Sequence, residues 1–347
     1  MDDTSKLYAV IMAGGRGERF WPAGRYSRPK QLLPLLSERS MIEETVQRLF
    51  PLIAPERLLV VTNREFVTKI RELLPIPAEN VIGEPVGRDT APCVALAAAL
   101  VKRRDPEATM VLLPADHVIH PARLFQETLC AAAEQAQAGA LVTLGVAPGY
   151  AATGYGYIHI GDMVAPGFYK VLEFREKPDA VTAEQFVRDG SYKWNSGIFV
   201  WRVDAICRAF QVHQPELAEK IERWAGTGDF ESDFAACPRI SIDYAIMEKA
   251  ENVLVGSAPF DWNDIGSWSA LRSLLPADEY GNTIRGRIAA LDAEGCVLLG
   301  DDGMQIGVIG VRNLAVVQSG NGILVCPLSE EQRIKELIRQ IKEESYR

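Results

Sequence analysis

Over its first two thirds the chain alternates short runs of apolar, β-branched residues with longer stretches whose apolar positions recur at helical spacing. Residues 8–12, 57–62, 80–83, 109–113 and 140–145 read as buried strands, and residues 41–51, 66–74, 91–104 and 121–138 between them read as helices. Strand, crossover helix, strand is the pattern of a parallel sheet covered on both faces. An α/β fold with a doubly wound, mostly parallel sheet is therefore expected. Ligands in such sheets bind beyond the carboxyl ends of the strands, which directs attention to the loops after Met12, Gly83 and Leu113.

From about Tyr280 the pattern changes. Residues 288–292, 296–299, 306–309 and 314–318 form short apolar segments separated by Gly, Asp and Asn, with no room for crossover helices. They predict a small β domain, residues 279–347, after a larger body of residues 1–278. The domain closes on a helical stretch, residues 330–344, in which Ile334, Leu337, Ile338 and Ile341 share one face. That stripe must be buried on this chain or on a second copy, and a homodimer joined through the C-terminal region is expected.

Composition narrows function more than fold. The start, Met1 to Lys6, has no basic segment or cleavage site of a secretory signal. The longest apolar run, residues 91–101, contains a proline and is too short to cross a bilayer. A cytoplasmic protein with no membrane contact is expected. Six cysteines without a CxxC pair argue against a disulfide framework and a zinc site. A net charge of −9 lacks the basic footprint that nucleic acid demands. The sign reverses locally, where Arg16, Arg19, Arg25, Arg28 and Lys30 face one acid, Glu18. A basic loop in an acidic protein suits a small polyanion.

That loop reads Ala13-Gly14-Gly15-Arg16-Gly17-Glu18-Arg19-Phe20-Trp21-Pro22 and is followed by Lys30-Gln31-Leu32-Leu33-Pro34. Glycines directly after a strand let backbone N–H groups approach a phosphate. The dinucleotide fingerprint would need glycine in place of Phe20, and the Gly-Lys-Ser/Thr of a Walker loop is absent. The segment resembles the signature of the sugar-nucleotide pyrophosphorylases, above all the mannose-1-phosphate guanylyltransferases, and the likeness runs through nearly the whole chain. The resemblance implies a Rossmann-like nucleotidyltransferase fold with a β-helix-like C-terminal domain and Mg2+ as cofactor. It also implies transfer of GMP from GTP to α-D-mannose 1-phosphate, giving GDP-mannose and pyrophosphate. On this reading Arg16, Arg19, Lys30 and the amides of Gly14, Gly15 and Gly17 hold the triphosphate.

Leu113-Pro114-Ala115-Asp116-His117 puts a carboxylate at the carboxyl end of a strand, where it serves either as a turn cap or as a ligand for a hard cation. Asp261-Trp262-Asn263-Asp264-Ile265-Gly266-Ser267 resembles the family's Asp-x-Gly-Ser/Thr box, which implies that Asp264 shares magnesium with Asp116. His117 and His120 lack the further His or Cys partners of a transition-metal site, so a neutral packing role is expected. In Gly83-Glu84-Pro85-Val86-Gly87-Arg88-Asp89-Thr90, Glu84 matches the adjacent N1–H and N2–H donors of guanine, with Arg88 and Thr90 in the same nucleotide-binding segment. Asp89 or Thr90 equally caps the following helix. The guanylyltransferases usually carry Asn where this chain has Asp89.

The segments around Gly154, Glu176-Lys177 and Asn195 read plainly as a hairpin, a surface ion pair and an Asx turn. The resemblance implies that Lys177 holds the sugar phosphate while Gly154, Glu176 and Asn195 contact sugar hydroxyls. A nicotinamide dehydrogenase would share the sheet but needs an acid directly after residues 60–63. A non-catalytic, pyrophosphorylase-like regulatory subunit would be expected to have lost Lys30, Asp116, Lys177 or Asp264, and all are present. The nearest alternative is the same chemistry on glucose or heptose 1-phosphate. An appended isomerase domain, carried by some of these guanylyltransferases, is not expected because the chain ends first.

Overall fold

The computed structural model describes residues 4–341 of the 347, so the end of the stretch 330–344 lies outside the described residues. The chain divides into two compact units. The first comprises the described residues up to Gly14, Val46–Pro114 and Ile119–Trp262. Its strands in chain order are β1 (Leu7–Ala13), β2 (Leu58–Asn63), β3 (Val81–Glu84) and β4 (Thr109–Pro114). After the short β5 (Val118–His120), outside this sheet, come β6 (Leu141–Val146), β7 (Tyr157–Ala165), β8 (Phe168–Arg175), β9 (Tyr192–Arg202) and β10 (Val253–Ser257).

These nine strands form one sheet in the order β3-β2-β1-β4-β9-β6-β10-β8-β7. Strands β1 to β4 pair in parallel, as do β6 and β10, while β9 and β8 run against their neighbours. The fold is the expected α/β, mostly parallel class. Val10, Ile11, Leu59, Val60 and Leu112 are fully buried, as continuous β-branched and leucine runs must be when helices cover both faces. The helix Thr90–Arg104 is alanine-rich, and small side chains let it bury nearly its whole length.

One local expectation is corrected. Trp194-Asn195-Ser196-Gly197 is not a turn but lies inside β9, where the register with β6 shifts between Thr143 and Gly145 and Gly197 takes φ 70°. Turn-forming residues here make an irregularity within a strand.

The second unit comprises Gly15–Thr45, Ala115–Val118 and the described residues from Asn263 onward. Thr283–Arg285, Val297–Leu299 and Leu314–Ser319 pair in parallel, one after another, and Gly322–Pro327 closes that sheet antiparallel. Arg287–Leu291 and Gln305–Ile309 form a second parallel pair. Parallel pairing of successive short strands across tight corners is a β-helix-like coil. At the corner Gly286, φ is 102° and an added Cβ would sit 2.4 Å from the carbonyl oxygen of Gly300, so only glycine fits.

The core of this unit joins Phe20, Leu33, Ile265, Trp268, Val297, Leu299, Val317 and Ile334. The terminal helix Ile334–Gln340 buries Ile334 and packs Ile338 on that cluster. The apolar stripe is thus covered in part by its own chain, while Leu337 stays exposed. None of the six cysteines is in a disulfide. Among the described residues, no helix is long and apolar enough to cross a membrane.

Trp268 is 1% exposed and meets Phe20 edge-on at 4.9 Å between ring centres. Trp268→Ala is expected to cost about 3–5 kcal/mol through the cavity left behind. Urea unfolding measures this, and an unchanged midpoint would show the ring is dispensable.

Candidate active site

In the second unit the glycine-rich loop turns back on the segment that carries Lys30. Gly17 takes φ 65°, and an added Cβ would lie 2.4 Å from the backbone nitrogen of Lys30. The short helical turn Glu18–Phe20 follows, anchored by buried Phe20. Lys30 is only 7% exposed, and its ammonium stands 5.8 Å from the Phe20 ring centre. It donates to Asp116 Oδ2 at 2.8 Å and to the backbone carbonyl of Asp264. Burial alone would push the Asp116 carboxyl up, but Lys30 and His117 outweigh it and hold it below the usual carboxylate range.

Asp264 precedes Ile265, a β-branched residue at φ 41°, which is strained backbone. The strain is held by complete burial of the Ile265 side chain and by Asn263 Oδ1, which accepts from the Ile265 N–H at 2.7 Å. Gly266 lies against the carboxylate, where a Cβ would stand 3.4 Å from both Asp264 oxygens. An open cavity of about 430 Å³ is lined by Arg16, Gly17, Glu18, Arg19, Phe20, Lys30, Asp116, His117, Asp264, Ile265, Gly266 and Lys335.

The structure thus brings Arg16, Gly17, Arg19, Lys30, Asp116 and Asp264 together, as read from sequence, and adds Lys335, which the stripe reading passed over. Arg25, counted with the basic loop, instead donates to the carbonyls of Pro22 and Ser319. Arg16 lies over the Tyr26 ring, and Arg19 keeps a buried Nε without a hydrogen-bond partner. Magnesium uses one or two carboxylates together with substrate phosphates, so Asp116 and Asp264 fit it. No cluster of three or more His, Cys, Asp or Glu suited to a closed metal site occurs among the described residues.

In the first unit, Glu84 ends β3, is 5% exposed and faces Gly14, whose added Cβ would lie 3.7 Å from Glu84 Oε2. Its Oε1 is buried without a hydrogen-bond partner. Burial pushes the carboxyl up to about 7, against a lowering hydrogen bond from the Cys93 thiol. An orphaned buried oxygen is costly, and such a cost marks a place for a ligand's donors. Arg88 reaches the carbonyl of Ala235, and Thr90 Oγ1 accepts from the Ile242 N–H at 2.8 Å, so both already serve the scaffold. Asp89 has φ 68° and ψ −174°, a region most residues avoid, and its carboxylate accepts from the Thr90 N–H at 2.7 Å. Asn tolerates positive φ and can accept the same bond, so the exchange of Asn for Asp keeps the cap.

Glu176 pairs with Lys177, itself at φ 43°. Burial would pull the Lys177 ammonium down, but Glu176 and then Asp243 outweigh it and hold it up. Asn195 Oδ1 accepts from Thr143 Oγ1 at 3.2 Å and from the Gly197 N–H at 3.1 Å, while Nδ2 donates to Asp243 Oδ1 at 3.0 Å. One Asn195 N–H is left for a ligand. Asp243 opens a π-helical turn, Asp243–Met247, and burial together with Glu176 pushes its carboxyl up to about 7. Sequence reading missed Asp243, because Ser-Ile-Asp-Tyr carries no local signal beyond that of a helix start. Gly154 has no atom within 4 Å of an added Cβ, whereas one on Gly156 would meet Glu176 Oε2 at 2.5 Å. The glycine that lies against the Glu176 carboxylate is Gly156.

Residues 8–280 match the nucleotidyl transferase family model, and residues 286–341 match the MannoseP isomerase/GMP-like beta-helix domain. The chain is 37% identical to the mannose-1-phosphate guanylyltransferase of Klebsiella pneumoniae over 97% of its own length and 74% of that protein's. The chain belongs to the mannose-1-phosphate guanylyltransferase family. A second such guanylyltransferase, from Salmonella typhimurium, is 37% identical over 96% of this chain and 72% of its own. A crystal structure from Thermus thermophilus, described as a mannose-1-phosphate geranyltransferase, aligns with TM-score 0.89 and 37% identity over 96% of this chain and 99% of that one. Membership makes the chain a nucleotidyltransferase enzyme.

Folding raises the Glu84 pKa from its ordinary 4.5 to about 7, so its contribution to stability is complete below pH 4.5 and lost as pH rises through 7. Glu84→Gln, neutral throughout, should gain on the parent by on the order of 2 to 3 kcal/mol between about pH 5 and pH 8 in ligand-free urea unfolding. Parallel pH profiles for the two proteins would mean that the buried carboxyl titrates normally.

Proposed function

We propose that the chain transfers GMP from GTP to α-D-mannose 1-phosphate with Mg2+, releasing pyrophosphate and GDP-mannose, in the cytoplasm. The observation that carries this reading is the convergence of Lys30, Asp116 and Asp264 on one open cavity beside Arg16 and Arg19. A phosphate oxygen of the sugar phosphate attacks the α-phosphorus of GTP, and the bond to the leaving pyrophosphate breaks in line. A phosphate monoester with a second pKa of about 6 is already anionic at neutral pH, so no general base is required.

The protein's task is to align two anions and to offset the charge that grows on the leaving group. Arg16, Arg19, Lys30 and the amides of Gly14, Gly15 and Gly17 hold the triphosphate. Lys30 keeps Asp116 ionised, and Asp116 and Asp264 hold the magnesium, which when bound offsets charge on the reacting phosphates. Lys177 holds the sugar phosphate, and Glu176 and the free Asn195 N–H take sugar hydroxyls. Asp243 positions Asn195. The orphaned Glu84 oxygen accepts from guanine, which offers adjacent donors where adenine offers one. The boundary between the catalytic body and the β domain falls at residues 278 and 279.

Asp116→Asn and Asp264→Asn are each expected to lower kcat by at least about 10²- to 10³-fold with the fold intact. Pyrophosphate release across a matrix of nucleoside triphosphates and sugar 1-phosphates provides the readout. Near-normal turnover in either variant sinks the metal assignment, and a better partner than mannose 1-phosphate sinks the sugar.

A homodimer is proposed through the β domain rather than its helix. Leu291, Ile309, Ile323 and Val325 are all more than half exposed there, and Gly322–Pro327 is an edge strand. Sedimentation of the parent and of the double variant Ile323→Asp, Val325→Asp tests it. A monomeric parent, or a dimer that survives both charges, removes the proposal.

A further inference from the structure

Lys335 shares the cavity with Arg16, Arg19 and Lys30, yet it comes from the far end of the sequence. Two apolar anchors fix its helix: Ile334 is 3% exposed, and Ile338 packs on the cluster that holds Phe20 and Trp268. Neighbouring Arg333 is neutralised by Glu330 and Glu336. Lys335 makes no ion pair with any described carboxylate. With no counter-ion among the described residues, and with Arg16, Arg19 and Lys30 lining the same cavity, this ammonium suits an anion from solution.

One turn before Lys335, Glu331 is buried and accepts from the N–H and the hydroxyl of Ser269. Ser269 lies in the helical turn Trp268–Ser273, directly after the Asp264-Ile265-Gly266-Ser267 loop. The contact that seats the Asp264 loop therefore also seats the helix of Lys335. Pyrophosphate is the group on which negative charge accumulates as the α-phosphorus transfers, and a cation fixed against it stabilises the transition state more than the ground state.

We propose that Lys335 is a catalytic residue whose ammonium binds the β- and γ-phosphates of the nucleotide and the departing pyrophosphate, so that the C-terminal segment completes the phosphate site. The naming of the nucleotide rests on the reaction proposed above, whereas the anion does not. The full-length protein is compared as parent, Lys335→Gln, Lys335→Arg and Arg339→Gln, the last being an exposed position of the same helix. Binding of inorganic pyrophosphate with Mg2+ is measured by calorimetry, and kinetics are followed in both directions.

Lys335→Gln should weaken pyrophosphate binding and raise the KM for GTP by about tenfold or more, as expected for loss of a charged hydrogen bond. It should leave the KM for mannose 1-phosphate within about twofold of the parent value. Lys335→Arg should restore most of the loss, and Arg339→Gln should match the parent. Unchanged pyrophosphate binding and GTP kinetics in Lys335→Gln overturn the proposal. So does an equal loss for both substrates with a lowered melting temperature, because that marks a structural role. A parent that binds pyrophosphate through Lys335 but turns over no nucleotide and sugar-phosphate pair upholds the anion site and overturns the proposed reaction instead.

Discussion

A buried ammonium must be paired or it does not stay buried, and Lys30 is nearly buried. Its partners are the Asp116 carboxylate and the Asp264 carbonyl, which come from loops far apart in the sequence. Lys30 is the buried member of the pair and Asp116 the partly exposed one, and their contact joins the loops after β1 and β4 to the loop at Asp264. The residues proposed to hold triphosphate and metal take their positions from this pair. Charge that is already balanced within the protein can be transferred to an incoming cation and polyanion without exposing an unpaired group.

Beneath the charges lies an apolar floor. Phe20, Ile265 and Trp268 pack together, and that packing holds Ile265 in a backbone conformation it would not adopt in solution. In the first unit a different force does comparable work, because burial keeps the carboxyls of Glu84 and Asp243 from ionising until near neutral pH. Folding disfavours the ionised form of both carboxyls.

The parallel half of the sheet was legible because each strand is a continuous apolar run, and the expected limits of β1 to β4 fall within a residue of those observed. Strand β9 was not legible, since its Asn-Ser-Gly mimics a turn and only pairing with β4 and β6 makes it a strand. The glycine loop, Lys30, Asp116 and Asp264 were found through motifs that need no tertiary knowledge. Asp243, Gly156 and Lys335 were not, because each acquires meaning from a neighbour remote in sequence: Asn195, Glu176 and the cavity. Local pattern also left open what covers Ile334, whose partner Phe20 lies more than three hundred residues earlier.

The second unit draws on Gly15–Thr45 and Ala115–Val118 as well as on the described residues from Asn263 onward. A ribosome makes these pieces in order. The last strand of the nine-stranded sheet ends at Ser257, so that sheet can close while the pieces carrying Lys30 and Asp116 still lack the Asp264 carbonyl, Trp268 and Ile334. A chain ending before Asn263 would have every strand of that sheet but lack the Asp264 carbonyl that Lys30 meets and much of the cluster around Phe20. The cavity around Lys30 is therefore assembled only once residues 264–266 and Lys335 have been made.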